Sequence, residues 1–441
     1  MAKLRWLVVL GIVLLTNCSL SYVSPTPPMQ SVTSTTLVLP VPTQSPTATI
    51  IATYQPVPTI TPSAAEPTAT NPVALHPERV LKYKRLDIAA SLPPDAVPSG
   101  ALAFSGQRSY LQRFGQDGEQ EISGIDFCVS SSPDGKWLAC GQSSAGSSAN
   151  DQLVILKADG QVQEKIAVKE GWWWNFGNIW LDNERLAFNF WKDKSTVPTI
   201  FSTIVVNPFT GEQQEILSDY PDLQPSISGP EGTIHFVYST VVYDPSLNLV
   251  IYPQTTEDGW YVVLWDRQAK RTLARVKDGN EFQHLPLWSP DGKQFVIAVD
   301  NQAGKRDGEW IDEWFSVSRD GQIGQLTHFG DYFEDAKIGH ANWSPDGRHL
   351  AFWLDATPSL CEWQNLVVLE VDTQQVVNYC VLGSDDRTAP SSPPIWSPDS
   401  RYIAVDSYQS GVSRVILVDA TQDWAAIIGY GAYPIGWLAS P

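Results

Sequence analysis

Apolar residues between positions 99 and 441 occur in short runs in which larger side chains flank a smaller one. The clearest runs are Leu138-Ala139-Cys140, Phe295-Val296-Ile297, Leu350-Ala351-Phe352 and Ile403-Ala404-Val405. A period of two is typical of a β-strand that packs on both faces, and a small middle residue allows close stacking of sheets. Most runs precede a second apolar run, as at 153–156, 366–371 and 415–418, and then a polar turn. The pattern predicts a repeated antiparallel meander of short strands.

The pentapeptide W-S-P-D-G, or a close copy, separates the first two strands of these units. Full or nearly full copies begin at Trp288, Trp343 and Trp396, and a copy without the Trp begins at Ser131. Pro presets φ, the Asp side chain caps the turn, and Gly supplies positive φ, so the motif predicts a tight turn. We therefore interpret the motif as scaffold and not as a binding site.

Two weaker units fill the remaining gaps. Trp180-Leu181-Asp182-Asn183 precedes a strand-like run at 186–188. The next unit has its turn either at 228–232 or at 243–247. We favour the second, because Val250-Ile251-Tyr252 then falls in the register of the other strands.

The two ends of the repeat region complement each other. The last residues, Trp437-Leu438-Ala439-Ser440-Pro441, begin a turn motif, and Leu102-Ala103-Phe104 matches the strand that should follow it. We predict a blade shared between the ends, which closes a ring and leaves few exposed sheet edges. The fold is then an all-β propeller of seven four-stranded antiparallel blades, with about 49 residues each. Six or eight blades are the alternatives.

The repeated pattern W-S-P-D-G-[KR] followed by an apolar-Ala-apolar strand resembles the WD40-like PD40 repeat of TolB-type bacterial β-propellers. The resemblance covers residue 99 to the end of the sequence. It implies four-stranded blades around a central channel that serves as a binding platform. It implies no particular chemistry, because one fold hosts many functions.

The N-terminal sequence resembles a bacterial lipoprotein signal. Lys3 and Arg5 precede an apolar stretch at 6–15, which is too short for the ~20 residues of a transmembrane helix. Leu15-Thr16-Asn17-Cys18 is similar to a lipobox, although Asn17 replaces the usual small residue. We expect 1–18 to be a signal peptide and Cys18 to be lipidated, which would anchor the protein outside the cytoplasm on a bacterial membrane. Simple secretion and an uncleaved anchor are the alternatives.

Residues 19–77 contain twelve Pro, many Ser and Thr, and a single acidic residue, Glu66. Such a segment cannot bury enough apolar surface to fold. We predict a disordered linker at 19–77 and a lead-in at 78–98 that packs on the propeller of 99–441.

Four cysteines besides Cys18 fit two disulfides in an exported protein. Cys128 and Cys140 lie symmetrically about the first turn, so they should face each other across a hairpin. Cys361 and Cys380 flank a later hairpin less symmetrically and need a bulge or loop. A catalytic or metal role is the alternative, but no C-x-x-C or Cys-His spacing is present.

The net charge of −19 disfavours nucleic acids and anionic lipid headgroups as partners, so membrane contact should come only through the anchor. It is compatible with a cation or a basic partner, or simply with solubility. No G-x-S-x-G, H-E-x-x-H, P-loop or dinucleotide motif occurs, so no enzyme class and no cofactor is predicted.

Polar residues just before the turn motifs should lie at the channel mouth. The candidate binding residues are Asp126, Glu281, His284, Asp335, His340, Asp385, Asp386 and Arg387. Converging His and carboxylate side chains suit a divalent cation or a polar ligand. Some propeller polysaccharide lyases are similar, with a His-bound metal in the channel. The alternative is that these residues only hydrogen-bond neighbouring blades or water.

Tryptophans outside the motif are candidates for contacting a ligand. They are Trp172, Trp173, Trp174, Trp310 and Trp314. An exposed Trp can stack on a sugar or anchor a protein, whereas core packing is the alternative.

These observations favour a monomeric, surface-tethered, non-enzymatic module that binds a protein or a glycan on the channel face. The alternative is a carbohydrate-active enzyme, such as a metal-assisted lyase or hydrolase, which needs three of the channel-mouth acids and histidines around one point. The binding interpretation predicts exposed aromatic side chains on one face of the disc.

Overall fold

The computed structural model describes residues 81–440 apart from several internal stretches. Those stretches are 97, 107–108, 116–118, 145–146, 168–171, 174–178, 194–199, 218–240, 257, 279–284, 302–309, 359–360, 362–363 and 384–391. The predicted signal sequence with Cys18 and the predicted linker therefore lie outside the described residues. Within the described part, no helix has the length and apolar character needed to cross a membrane.

Regular structure in the described residues is almost entirely β. The N-terminal strands are β1 (Lys82–Tyr83), β2 (Ile88–Ala89), β3 (Ala101–Gly106), β4 (Tyr110–Arg113) and β5 (Glu119–Glu121). Blade I contains β6 (Phe127–Ser131), β7 (Trp137–Ser144), β8 (Ser147–Lys157) and β9 (Val162–Ala167). Blade II contains β10 (Trp172–Trp173), β11 (Leu186–Asp193), β12 (Ile200–Val206) and β13 (Gln213–Leu217). Blade III contains β14 (Val242–Tyr243), β15 (Leu249–Thr256), β16 (Gly259–Asp266) and β17 (Arg271–Asp278).

The remaining blades follow in chain order. Blade IV contains β18 (Leu287–Trp288), β19 (Gln294–Asp300), β20 (Asp312–Ser318) and β21 (Ile323–Gln325), and a 3-10 helix at Phe329–Asp331 comes after it. Blade V contains β22 (Asp335–Trp343), β23 (His349–Thr357), β24 (Asn365–Glu370) and β25 (Gln375–Leu382). Blade VI contains β26 (Ile395–Trp396), β27 (Tyr402–Gln409), β28 (Val412–Asp419) and β29 (Trp424–Tyr430). Blade VII joins the last strand, β30 (Ala432–Leu438), to β3, β4 and β5.

The described strands thus form seven sheets, which confirms the seven-bladed propeller. Seven hydrophobic clusters separate the blades, one between each adjacent pair, including the pair VII and I. These clusters form because successive side chains along the second strand of each blade point to opposite faces of the sheet. In β7, for example, Leu138 and Cys140 face blade VII while the small Ala139 faces blade II.

The turn motif is scaffold, as predicted. In blade I the Ser132 hydroxyl donates to Asp134 over 2.8 Å, and the same carboxylate accepts from the backbone N–H of Lys136. The copy at Ser289 repeats the first bond over 2.7 Å. Gly135 has φ of 69°, the left-handed conformation that glycine adopts without strain.

Several motif tryptophans donate a hydrogen bond to the preceding blade. The Trp180 indole donates to the Ser130 carbonyl over 3.2 Å, and Trp396 donates to Asn342 over the same distance. Each acceptor lies on the innermost strand of the preceding blade. The buried indole therefore makes one hydrogen bond that links the two blades.

Ring closure takes the predicted form. Strand β3 pairs with β30, with Leu102 opposite Trp437 and Ala101 opposite Leu438. The Trp437 indole also donates to the Ser99 carbonyl over 2.8 Å. The preferred turn of blade III is confirmed as well, because Asp244 accepts from the Leu249 N–H over 2.7 Å between β14 and β15.

The lead-in adds a parallel strand to the outer edge of two blades. Strand β1 pairs with β25, and β2 pairs with β29. Lys84 lies 2.6 Å from Asp423 and 5.6 Å from the centre of the Tyr379 ring. These contacts cover edges of blades V and VI that would otherwise carry unpaired backbone groups.

Both expected disulfides are present. Cys128 and Cys140 are direct cross-strand partners on β6 and β7. Cys361, in the connection after β23, reaches Cys380 on β25. Two disulfides in one chain indicate folding outside the reducing cytoplasm.

Strand direction gives the two faces of the disc different contents. Each innermost strand runs toward its turn motif, so the motif turns and the third-to-fourth-strand turns lie on one face, called here the turn face. The connections between blades and between second and third strands lie on the opposite face, called here the loop face.

Candidate binding face

Three of the eight predicted channel-mouth residues are described. Asp126, Asp335 and His340 belong to or precede innermost strands, whereas Glu281, His284, Asp385, Asp386 and Arg387 lie outside the described residues. Asp126 is exposed and begins blade I; Asp335 is half-buried and begins blade V, three blades away around the ring. These two carboxylates therefore lie on opposite sides of the channel.

His340 does not join Asp335 at one point. Five residues separate them along β22, which at ~3.3 Å per residue is about 16 Å. His340 is exposed at a bulge between Ile338 and Ala341, where an extra residue re-aims side chains. Among the described residues, no group of three or more His, Cys, Asp or Glu side chains is placed to hold a metal ion.

Trp310 and Asp335 do come together, in a group called here the rim cluster (Trp310, Asp312, Asp335, Lys337). The Trp310 backbone N–H donates to Asp335 over 3.2 Å, and its indole donates to the buried Asp312 over 2.6 Å. The Lys337 ammonium lies 5.6 Å from the centre of the indole ring. Trp310 is half-buried, so the cluster presents a held aromatic ring on the loop face between blades IV and V.

The rim cluster also ties the two blades together. The Ala336 N–H donates to the Trp310 carbonyl over 2.7 Å, and the Ile338 N–H donates to Asp312 over 2.8 Å. Asp312 and Asp335 are thus acceptors for backbone and indole donors. Their first role is to position the segment that carries Trp310.

Trp314 is not a contact residue, and that interpretation was wrong. Only 1% of Trp314 is exposed, because it points from β20 into the cluster between blades IV and V. Its ring lies 5.6 Å from that of Phe352 in an edge-on arrangement. Trp172 and Trp173 form β10, but their side chains lie outside the described part, as does all of Trp174.

A buried carboxylate shapes the connection between blades IV and V. Glu313 is 2% exposed, accepts from the Thr327 hydroxyl over 2.6 Å and accepts from the Gly330 N–H over 3.0 Å. Burial raises the pKa of Glu313 above its ordinary value. The bonds hold the 3-10 helix in place, and the next residue, Tyr332, is 43% exposed on the loop face.

Sequence reasoning missed the exposed tyrosines. Tyr332, Tyr408, Tyr430 and Tyr433 are the large aromatic residues exposed among the described positions. All four lie on the loop face, at strand ends or connections. The exposed large apolar residues toward the turn face are aliphatic: Val162, Ile323 and, on the lead-in strand β2, Ile88.

Three of these tyrosines and Val412 lie at the loop-face ends of β27 to β30, a set called here the tyrosine rim (Tyr408, Val412, Tyr430, Tyr433). Tyr408 pairs with Ser413, whose carbonyl accepts from the Gly431 N–H over 3.0 Å. The pairing in blade VI therefore places β27, β28 and β29 side by side. At ~4.8 Å between neighbouring strands, the backbones of β27 and β29 are about 10 Å apart. Tyr430 is 62% exposed, and Tyr408 and Tyr433 about 41% and 42%.

Asp406 lies just below this rim on β27. It accepts from both the backbone N–H and the hydroxyl of Ser392, over 2.9 Å and 2.8 Å. Burial raises the pKa of Asp406 to about 6. These hydrogen bonds hold the segment that precedes β26 against the loop-face end of β27.

The turn face, in contrast, has its motif charges paired internally. Lys293 lies 2.7 Å from Asp291 and lowers the pKa of that carboxyl to about 2. Arg401 lies 2.7 Å from the buried Asp419. These pairs satisfy one another within the turns.

No protein family model matches this sequence, and no curated protein matches it. Solved structures similar to it include TolB from Acinetobacter baumannii, at 11% identity over 76% of this chain and 79% of that one, with a TM-score of 0.41. The β-propeller domain of the trilobed protease from Pyrococcus furiosus is 13% identical over 67% and 83%, with a TM-score of 0.42. An oligogalacturonate lyase in complex with manganese is 12% identical over 75% and 84%, with a TM-score of 0.45.

Proposed function

We propose that this protein is a non-enzymatic, surface-tethered propeller that binds a protein or glycan ligand on its loop face. The observation that carries the proposal is the segregation of exposed aromatic side chains. In the described part of the chain all four exposed tyrosines lie on that face, which is the arrangement the binding interpretation requires.

Tyrosine suits such a surface. It offers a large, rigid contact area at low cost in conformational entropy, together with a hydroxyl group. At ~200 Å² per side chain, the tyrosines of the rim expose roughly 300 Å² of surface. A patch of a few hundred Å² is the size that often marks a functional surface on a monomer.

The path of the lead-in leaves this face clear. Strands β1 and β2 run parallel to the outermost strands of their blades and pair near the beginnings of those strands, with Lys82 opposite Val377 and Ile88 opposite Ala425. Outermost strands begin at the turn face. The described lead-in therefore begins near the turn face, opposite the tyrosines.

The tether itself is a proposal built on the sequence and on the disulfides. A lipidated Cys18 followed by the linker at 19–77 would hold the propeller outside the cytoplasm as a monomer, with a reach of at most ~180 Å at ~3.1 Å per residue. Metabolic labelling with an alkyne fatty acid should mark the natural protein and not Cys18→Ser. Equal labelling of both would exclude the anchor.

The binding proposal is tested by thermal unfolding of the full-length protein with soluble cell-wall glycan fragments and with peptides. A ligand at a hundred times its Kd should add about 2.7 kcal/mol of stability. Tyr332→Ser or Tyr430→Ser should reduce the response to at least one ligand. Val162→Ser and Ile323→Ser on the turn face should not. Responses that all survive both tyrosine changes would contradict a loop-face site.

A further inference from the structure

Positive charge is concentrated on the outermost strand of blade III. The run 267–277 contains five of the 29 Lys and Arg residues and no acidic residue, although the whole chain has a net charge of −19. The outermost strand of blade VII, β5, instead exposes Glu119 and Glu121. The edges of the disc therefore differ in charge from blade to blade. The exposed basic residues of the run in blade III are Lys270, Arg271, Arg275 and Lys277.

Two of these basic side chains share one face of the blade. Arg275 lies opposite Val263, and Lys277 lies opposite Tyr261, in the pairing of β17 with β16. Val263 and Tyr261 belong to the apolar contact between blades II and III, so Arg275 and Lys277 lie on the side of β17 that faces blade II. Their Cα atoms are about 7 Å apart along the extended strand. Arg271 lies beyond a bulge and is not part of this pair.

The exposed Arg275 side chain is held from within the blade. Its guanidinium donates to the side-chain oxygen of Gln254, which is buried on β15, and lies 5.3 Å from the centre of the Tyr261 ring. A guanidinium has five donors in a fixed plane that matches a carboxylate. Because these contacts already restrict its position, Arg275 loses less conformational entropy when it binds one.

In the described part of the chain, β17 is also an open sheet edge. Blade III has four strands there, and β17, eight residues long, is the last of them. The outermost strands of blades V and VI instead pair with β1 and β2, so this fold accepts a fifth, parallel strand at the outer edge of a blade. The turn at Gly321 in blade IV packs against the Leu273 carbonyl. The open part of the edge is therefore its second half, 274–278, which carries Arg275 and Lys277.

We propose that the second half of β17 binds an extended acidic segment of a partner protein as a fifth strand of blade III. The backbone of the partner pairs with the open edge, and carboxylates at alternate positions of the partner lie beside Arg275 and Lys277. This surface is at the outer edge of the disc and is independent of the proposed loop-face site. At physiological ionic strength, acidic residues of the propeller more than ~8 Å away are largely screened from such a partner.

The edge favours a peptide over an anionic polysaccharide or a phosphate polymer. Only a peptide offers backbone N–H and C=O groups at the spacing of a sheet edge, and only a strand directs every second side chain to one face. Opposite charges directly across a strand pair stabilise the pair, whereas like charges oppose it. The same basic residues therefore oppose the pairing of β17 with β17 of a second copy.

The test uses the full-length protein and four synthetic peptides with blocked ends. The parent, TEVEVT, has carboxylates at alternate positions, TQVQVT is its neutral counterpart, and TKVKVT reverses the charge. The fourth peptide is TEVEVT with its four central backbone amides N-methylated, which keeps the carboxylates and removes the N–H donors. Titration calorimetry should show the tightest binding for TEVEVT, and the N-methylated form should bind at least about 10-fold more weakly.

Variants of the protein locate the site. The double change Arg275→Gln and Lys277→Gln should weaken the binding of TEVEVT about 3- to 30-fold, because two cross-strand charge pairs are lost, and should leave TQVQVT unchanged. Lys165→Gln is the matched control, since Lys165 is an exposed lysine on β9, the outermost strand of blade I. It should change neither affinity. Unfolding midpoints close to that of the natural protein confirm that each variant is folded.

A photo-crosslinking group on TEVEVT should label β17, as identified by mass spectrometry. Equal binding of the N-methylated peptide would show attraction by charge alone and would overturn the inference. Equal binding of TQVQVT, labelling of another blade, or no binding of any peptide would overturn it too. Self-association of the natural protein that the double change abolishes would assign the edge to a second copy instead.

Discussion

The indole nitrogen of Trp343 donates to the backbone carbonyl of Leu287, 3.1 Å away on the innermost strand of the preceding blade. Trp288 occupies the equivalent position one blade earlier, yet its buried indole nitrogen has no hydrogen-bond partner among the described residues. One motif residue thus joins two blades in one place and only packs in another.

This contrast predicts different costs for the same substitution. Trp343→Phe should lower the free energy of unfolding by about 1 kcal/mol more than Trp288→Phe, because only the first loses a satisfied bond. Trp288→Phe removes an unsatisfied buried donor, which offsets part of its lost packing. Urea unfolding followed by circular dichroism measures both. Equal losses would show that the indole bond contributes nothing.

Ring closure should be sensitive to the side chain at position 100. Gly100 has φ of 88°, and a Cβ there would lie 2.1 Å from the Leu438 carbonyl oxygen. Gly115 has φ of 77° but open space around it, so Gly115→Ala carries only the backbone strain. Gly100→Ala should therefore destabilise the protein by about 1–3 kcal/mol more, as judged by urea midpoints. Identical midpoints would mean that the closing strands can shift apart freely.

The first disulfide should contribute measurably to stability. Cys128 and Cys140 are separated by 12 residues, and a loop of that size corresponds to about 2–3 kcal/mol in the chain-entropy treatment. The double change Cys128→Ala and Cys140→Ala should lower the unfolding free energy by that amount. Reducing agent should have a smaller effect on the double variant than on the natural protein. A mass spectrum of unreduced peptides that links Cys128 to Cys361 instead would contradict the pairing.

Asp406 should make stability depend on pH between about 4 and 6. Its folded pKa of about 6 is above the ordinary value of 3.8, so the folded state binds the proton more tightly. The resulting stabilisation is fully present below about pH 4 and is lost as pH rises through 6. A shift of that size corresponds to about 2–3 kcal/mol.

Asp406→Asn keeps an oxygen that can accept from Ser392 but cannot titrate. The stability of the natural protein relative to this variant should therefore rise as pH falls from 7 to 4. Urea unfolding at several pH values checks this, and Asp399→Asn, an exposed motif aspartate, is the control. A constant difference between Asp406→Asn and the natural protein would show that Asp406 does not titrate in this range.

The local parts of the fold were predictable because their causes are local. The turn needs Pro, Asp and Gly within five residues, and the packed strands need alternating large and small apolar side chains over three residues. Each blade can therefore be recognised in the sequence independently of the others. The facing pair Cys128 and Cys140 follows from the same symmetry about one turn. Closure of the ring through the pairing of Leu102 with Trp437 was also predictable, because each end of the repeat region holds the part of the repeat that the other end lacks.

The binding face was predictable only in outline. Trp310 and Trp314 stand four residues apart in one insertion, and both appeared equally suited to a ligand. Burial separates them, since Trp314 enters the cluster between blades IV and V while Trp310 remains at the rim. Asp335 and His340 similarly looked like neighbours, but an extended strand places them about 16 Å apart.

What this sequence determined by itself is the repeat: the turn chemistry, the strand alternation, the closing half-motif and the paired cysteines. Only the tertiary structure decided that Tyr408, Tyr430 and Tyr433 are all exposed on the loop face. They come from three strands, and no spacing along the chain marks them. Whether a side chain at a strand end is exposed depends on whether the strand extends beyond the neighbouring blade. That relationship exists only in the assembled ring.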